Sequence, residues 1–166
     1  MRRPRPLPFV LLLALMACNG SSRPGPSLPD EPMPGPAAFE TVIQRSIPGQ
    51  SGGEIREAAR DAAAWGSLWS RLREGAGDTL PEEPPAVDFS REMVIAAAMP
   101  TQGCVSRVTI QGISQRRGEL LVDLLEAPPA PNCVCITSER PLHVVRLPRS
   151  PDPVRFEVTR GQTSCG

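Results

Sequence analysis

The sequence predicts a mainly β domain with one packed helix, an α+β chain arranged as an antiparallel β-sandwich or partly open barrel. Three observations carry this expectation. Several short runs alternate apolar with polar residues and are separated by hairpin-sized gaps, the period of half-buried strands. One stretch behaves differently: Ala62, Trp65, Trp69 and Leu72 recur at three- and four-residue steps, and Leu68 widens the same face, so it reads as a single amphipathic helix. Residues 39–166, left once both N-terminal segments are set aside, have the length of one small domain.

Taken in order, Phe39, Val42 and Ile43 mark a first short strand, and Gly49 to Gly53 a flexible turn. Asp61 is placed to cap the helix, because its carboxylate can accept the free N–H groups of the first turn. Gly75 and Gly77 end it. Trp65 and Trp69 read as core anchors rather than as a ligand box. Pro81, Pro84 and Pro85 keep residues 76–90 irregular. Met93 to Met99 is continuously apolar and reads as a central strand buried on both faces. Val108 and Ile110 alternate with Arg107, Thr109 and Gln111, predicting a half-exposed strand over 104–111, with Gly112 to Gly118 as its hairpin link. Leu120, Val122 and Leu124 alternate with Leu121, Asp123 and Leu125. After the loop Pro128-Pro129-Ala130-Pro131, strands are expected over Cys133 to Thr137, over His143 to Leu147, and around Val154, Phe156 and Val158.

The N-terminus has the pattern of a lipoprotein signal. Arg2, Arg3 and Arg5 form a basic region, Phe9 to Ala17 an apolar one, and Leu15-Met16-Ala17-Cys18 a cleavage site before a cysteine. The apolar run is shorter than the roughly 20 residues a spanning helix needs. The expectation is a signal peptide at 1–17 and diacylglycerol on the Cys18 thiol, a cell-envelope location, and lipid as the first partner. Asn19 in the second mature position favours an outer membrane where the cell has one. Acyl chains anchor through about 0.8 kcal/mol per buried CH₂. Residues 18–38, rich in Pro, Gly and Ser, cannot bury enough apolar surface to fold and read as a disordered tether reaching up to roughly 60 Å. The full chain is neutral, with 18 basic and 18 acidic residues. Loss of the signal removes three arginines and no acid, so the mature chain is acidic and no nucleic-acid partner is expected.

With Cys18 acylated, Cys104, Cys133, Cys135 and Cys165 remain, an even count that reads as two disulfides in an exported domain. Cys133 and Cys135 are too close to bond each other without strain. Cys104 is then expected to pair with one of them and Cys165 with the other. Closing the roughly 30-residue loop from Cys104 would contribute about 3 kcal/mol. The alternative is a thiolate-rich metal site of Cys104, Cys133, Cys135 and His143, a small-ligand or metal-binding envelope module. His143, the sole histidine, shares a strand face with Val145 and Leu147 and reads as packing. No nucleophile elbow, phosphate loop or dinucleotide fingerprint occurs, so no catalytic residue, resident metal or cofactor is expected.

Three segments carry a family resemblance: Ala62-Ala63-Ala64-Trp65-Gly66-Ser67-Leu68-Trp69, Val87-Asp88-Phe89-Ser90-Arg91-Glu92-Met93-Val94, and Pro141-Leu142-His143-Val144-Val145. Together they resemble the C-terminal domain of the PrcB-like protease-complex accessory family over about residues 40–158. The resemblance implies an exported or lipid-anchored domain that accompanies a protease complex. The chain departs from the family's Gly-Gly-Tyr-type segment, having Pro100-Thr101-Gln102-Gly103-Cys104-Val105 in its place. The expected function is a non-enzymatic, membrane-anchored envelope lipoprotein that binds or stabilises an extracytoplasmic protein. Gln102 and Gly103 in one loop, and Pro128 and Pro129 in another, are the candidate contact residues.

Overall fold

A computed structural model describes residues 35–48, 52–103 and 106–165. The signal segment, Cys18, nearly all of the 18–38 tether and Cys104 lie outside the described residues. Eight strands and one α-helix follow in the order β1 (Glu40–Pro48), β2 (Ile55–Ala59), α1 (Ala62–Arg73), β3 (Glu92–Ala98), β4 (Gln102–Gly103), β5 (Arg107–Arg116), β6 (Glu119–Ala127), β7 (Ser138–Pro148) and β8 (Val154–Arg160). They make two sheets. The first runs β1-β7-β3-β2, with β4 also on β7; the second runs β5-β6-β8. The fold is mainly β with one helix, and the sheets do not close into a barrel.

β3 shows why the fold is layered. All but its first residue are buried. Val94, Ala96 and Ala98 point into a core shared with α1, while Met93, Ile95 and Ala97 point into a core shared with the second sheet. β7 does the same, sending Leu142 and Val144 to the helix side and Val145 and Leu147 to the sheet side. The first sheet is therefore the middle layer, covered on both faces, which is why its central strands read as apolar runs without alternation.

Local chemistry fixes the helix. The Ala64 N–H donates to Asp61 Oδ1 at 2.8 Å, the expected cap. Gly75, at φ 74°, takes the left-handed conformation that stops it. Trp65 and Trp69 are buried, as expected of core anchors, with ring centroids 5.2 Å apart. Their indole N–H groups donate to Pro85 O at 3.0 Å and Pro81 O at 3.2 Å, so they also pin the proline-rich link. From β7, the buried Arg140 donates to Arg71 O at 2.9 Å and to Gly53 O at 2.7 Å. A cation there satisfies carbonyls of the last helical turn and complements the helix dipole. Desolvation lowers the pKa of this guanidinium from its ordinary value.

Several expectations are corrected. β2 carries almost no strand signature, being Ile-Arg-Glu-Ala-Ala, and exists because it pairs with β3 from Ile55↔Ala98 to Ala59↔Val94. Gly112 is not in a hairpin link. β5 continues to Arg116, Gly112 follows a register shift after Ile110, and the turn is made by Arg117 and Gly118, both at positive φ. Cys133 to Thr137 is not a strand; regular pairing begins only at Ser138. β8 is parallel to β6, the one parallel pairing among the described strands. At the N-terminal side, Pro36 bridges Ser114 and the Ala37 N–H donates to Ile113 O at 2.7 Å, so these residues, expected in the tether, pack on the domain.

The second sheet is fastened to the first by polar side chains. Arg56 of β2 donates through Nε at 3.2 Å and Nη2 at 2.6 Å to the buried Glu126 of β6. Along the other side, the edge of β5 that does not pair with β6 meets β1 and β7. The Gln44 amide donates to Val108 O at 3.4 Å and to Thr109 Oγ1 at 3.0 Å, Ser46 Oγ donates to Ser106 O at 3.4 Å, and Ile110 N–H donates to His143 Nδ1 at 2.8 Å. Side chains thus occupy a seam that a further strand would fill in a closed barrel.

Candidate functional site

One end of the domain gathers the expected contact residues with Cys133, Cys135 and Cys165. Beyond Ala98 the chain breaks, then resumes as β4, where Gln102 pairs with Glu139 and Gly103 with Ser138. Gly103 packs closely there: a Cβ on it would sit 3.1 Å from both Cβ and Sγ of Cys135. On the other side, the Thr163 N–H donates to Pro128 O at 2.9 Å, and the Ala130 N–H donates to Thr163 O at 3.2 Å. Pro129 bridges Thr163 in parallel. The C-terminal tail thereby extends the β6–β8 pairing direction past the strand ends. Cys133 is disulfide-bonded to Cys165, with Cα atoms 5.3 Å apart, which staples the tail to the loop. Cys135 is also disulfide-bonded. Gln102, Gly103, Pro128 and Pro129 are each half-buried and sit on either side of this cysteine segment.

The large apolar side chains that stand exposed among the described residues are ones that strand periodicity misplaced. Val134 is 92% and Ile136 97% exposed. They lie in a run from Ala127 to Ser138 that contains no charged residue. The signal that marks them in the sequence is this missing charge, together with the three prolines at the start of the run, which break the strand pattern ahead of Cys133. A disulfide-held, uncharged loop presenting two branched aliphatics to solvent offers an apolar contact point that costs little ordering entropy on binding.

His143 lies elsewhere and is engaged. It is buried, its Nδ1 accepts from the Ile110 N–H, and its Nε2 lies 3.0 Å from Thr41 Oγ1. Nδ1 therefore carries no proton and Nε2–H donates to the threonine. Burial lowers its pKa below the ordinary 6.5. Of the alternative metal set, Cys133 and Cys135 are in disulfides, both His143 nitrogens have partners, and Cys104 lies outside the described residues. Among the described residues no group of three or more His, Cys, Asp or Glu is placed to hold a metal ion. A cleft of about 650 Å³ lies between Phe39–Glu40, Asp88–Glu92 and Arg146–Pro148. Within it Arg146 pairs with Glu40 at 2.7 Å and lies 3.9 Å from Glu92. The Glu40 carboxylate raises the pKa of Arg146 above its ordinary value.

No helix among the described residues is long and apolar enough to cross a membrane. No family model, curated protein or solved structure matches the chain.

Proposed function

We propose that this protein is a membrane-tethered, non-enzymatic cell-envelope lipoprotein whose β-rich domain binds an extracytoplasmic protein through its cysteine-braced end. The observation that carries the reading is the exposure of Val134 and Ile136, 92% and 97%, on an uncharged loop held by disulfides. Leaving such side chains in water forgoes about 1.5–3 kcal/mol of burial each, which contact with a partner would recover. The Cys18 pattern supports the tether, and disulfides are at home in an oxidising compartment. The resemblance to the PrcB-like family supports a protease complex as the class of partner. The engaged nitrogens of His143 support the non-enzymatic part, since the sole imidazole has no lone pair or proton left for a substrate.

A photo-cross-linking residue at Thr137, exposed beside the loop, tests this in intact cells. The expected result is one discrete exported protein, captured in the wild type and lost in the Val134→Asp/Ile136→Asp variant. Capture of no exported protein overturns the reading. A Cys18→Ala chain is expected to leave the membrane fraction; one that stays removes the tether.

A further inference from the structure

The seam between β1 and β5 holds a second feature that the cysteine end does not use. Each of these strands is the edge of its own sheet. Paired strands lie about 4.8 Å apart, but here the two edges are joined only through side chains, Gln44 and Ser46 on β1 reaching backbone oxygens of Ser106 and Val108. The Gln44 carboxamide, a primary amide, stands where the peptide group of an inserted strand would donate. A cleft of about 530 Å³ opens along this line, and its polar lining is Gln44, Arg45, Ser46, Ser106, Arg107 and Thr109.

Two observations say what the cleft would take. Ser106 is only 4% exposed, yet its hydroxyl has no hydrogen-bond partner. A buried hydroxyl left unpaired costs about 1–3 kcal/mol, so an acceptor delivered to it is favoured. The lining also carries the exposed Arg107 and no carboxylate among the described residues, while the Arg45 guanidinium is engaged with Thr79 O at 2.8 Å. We infer that this seam binds an extended acidic segment of the partner protein by strand addition. The segment's N–H groups donate to Ser106 O and Val108 O in place of Ser46 and Gln44. One of its carbonyls accepts from Ser106 Oγ, and its carboxylate meets Arg107. Main-chain bonds supply affinity in such pairing and the side chains supply selection. The proposal rests on the partner-binding reading above and gives the partner's chemistry at a separate place on the domain.

The test uses the full-length purified protein and a displayed library of random octapeptides. Acidic sequences are expected to be enriched. The best of them, made synthetically, is then measured against the wild type, against Arg107→Glu, and as a copy N-methylated at alternate amides. Arg107 is exposed, so its charge reversal leaves thermal unfolding unchanged. Both the reversal and the N-methylation are expected to weaken binding about tenfold or more. Failure of the library to enrich any sequence overturns the inference, and so does survival of binding after either change. Loss of binding in Val134→Asp/Ile136→Asp with Arg107→Glu silent moves the site to the cysteine end. That outcome sinks the seam alone, whereas the partner-binding reading falls only if cross-linking in cells captures nothing.

Discussion

The central strand pair β3–β7 and the cysteine end are held together in opposite ways. β3 and β7 bury side chains toward a helix on one face and a sheet on the other, so their position follows from apolar area removed from water. The segment 131–137 buries almost nothing and is located by the disulfide to Cys165 and by β4 beside it. The difference shows how a small domain can expose apolar side chains without losing order. Where covalent bonds fix the backbone, the side chains are released from the work of folding and become available for contact.

The comparison can be broken or sharpened by four measurements. Trp69→Ala removes a fully buried indole and its bond to Pro81 O, and is expected to cost about 3–5 kcal/mol in urea unfolding. A loss below about 1 kcal/mol would mean burial does not hold the central layers. The Cys133→Ser/Cys165→Ser pair opens a crosslink with a sequence separation of 32, for which about 3–4 kcal/mol is expected. Hydrogen exchange should then rise most at residues 161–165, while β3 and β7 lose only the protection that the global loss removes. Uniform deprotection would show that the two regions are not independent.

His143 supplies the third measurement. Its pKa is lowered in the folded state, so the unfolded chain binds the proton more readily. Stability contributed by neutral His143 is complete above pH 6.5, the ordinary value, and declines as the pH falls below it toward the lowered folded pKa. The expected slope is at most about 1.4 kcal/mol per pH unit. In His143→Asn, whose side-chain carbonyl can still accept from Ile110 N–H, that slope should vanish. An unchanged pH profile would assign acid sensitivity to other groups. Last, Val134→Asp/Ile136→Asp is expected to change stability by no more than about 0.5 kcal/mol. A large loss would show that these side chains are part of the core after all.

Legibility in the sequence followed the same division. Asp61 as a cap, the Trp65–Trp69 face, the apolar run of β3 and the alternation in β6 and β8 could all be read, because each depends on a period or a neighbour a few residues away. His143 could be placed on the face of Val145 and Leu147, but not its bond to Ile110, 33 residues distant. Of the cysteine end, Gln102 and Gly103, read as a loop, form β4, while the loop of Pro128 and Pro129 was legible from its prolines. Val134 and Ile136 were not, since alternating Cys-Val-Cys-Ile imitates a strand. β2 was invisible for the converse reason: two alanines and a glutamate have no strand preference until β3 offers an edge.

By itself, the sequence determined the fold class, the helix and its cap, and the central buried strand, all from local periodicity and backbone preference. It also carried a basic and then apolar N-terminus running into Cys18, and four further cysteines. Tertiary structure alone decided that β8 runs parallel to β6, that Cys133 takes Cys165, and that Arg140 closes the helix from a distant strand. It likewise left a side-chain-bridged seam between β1 and β5. Each of these joins residues far apart in the chain, so it depends on which surfaces meet after folding, and no short window of sequence holds that information.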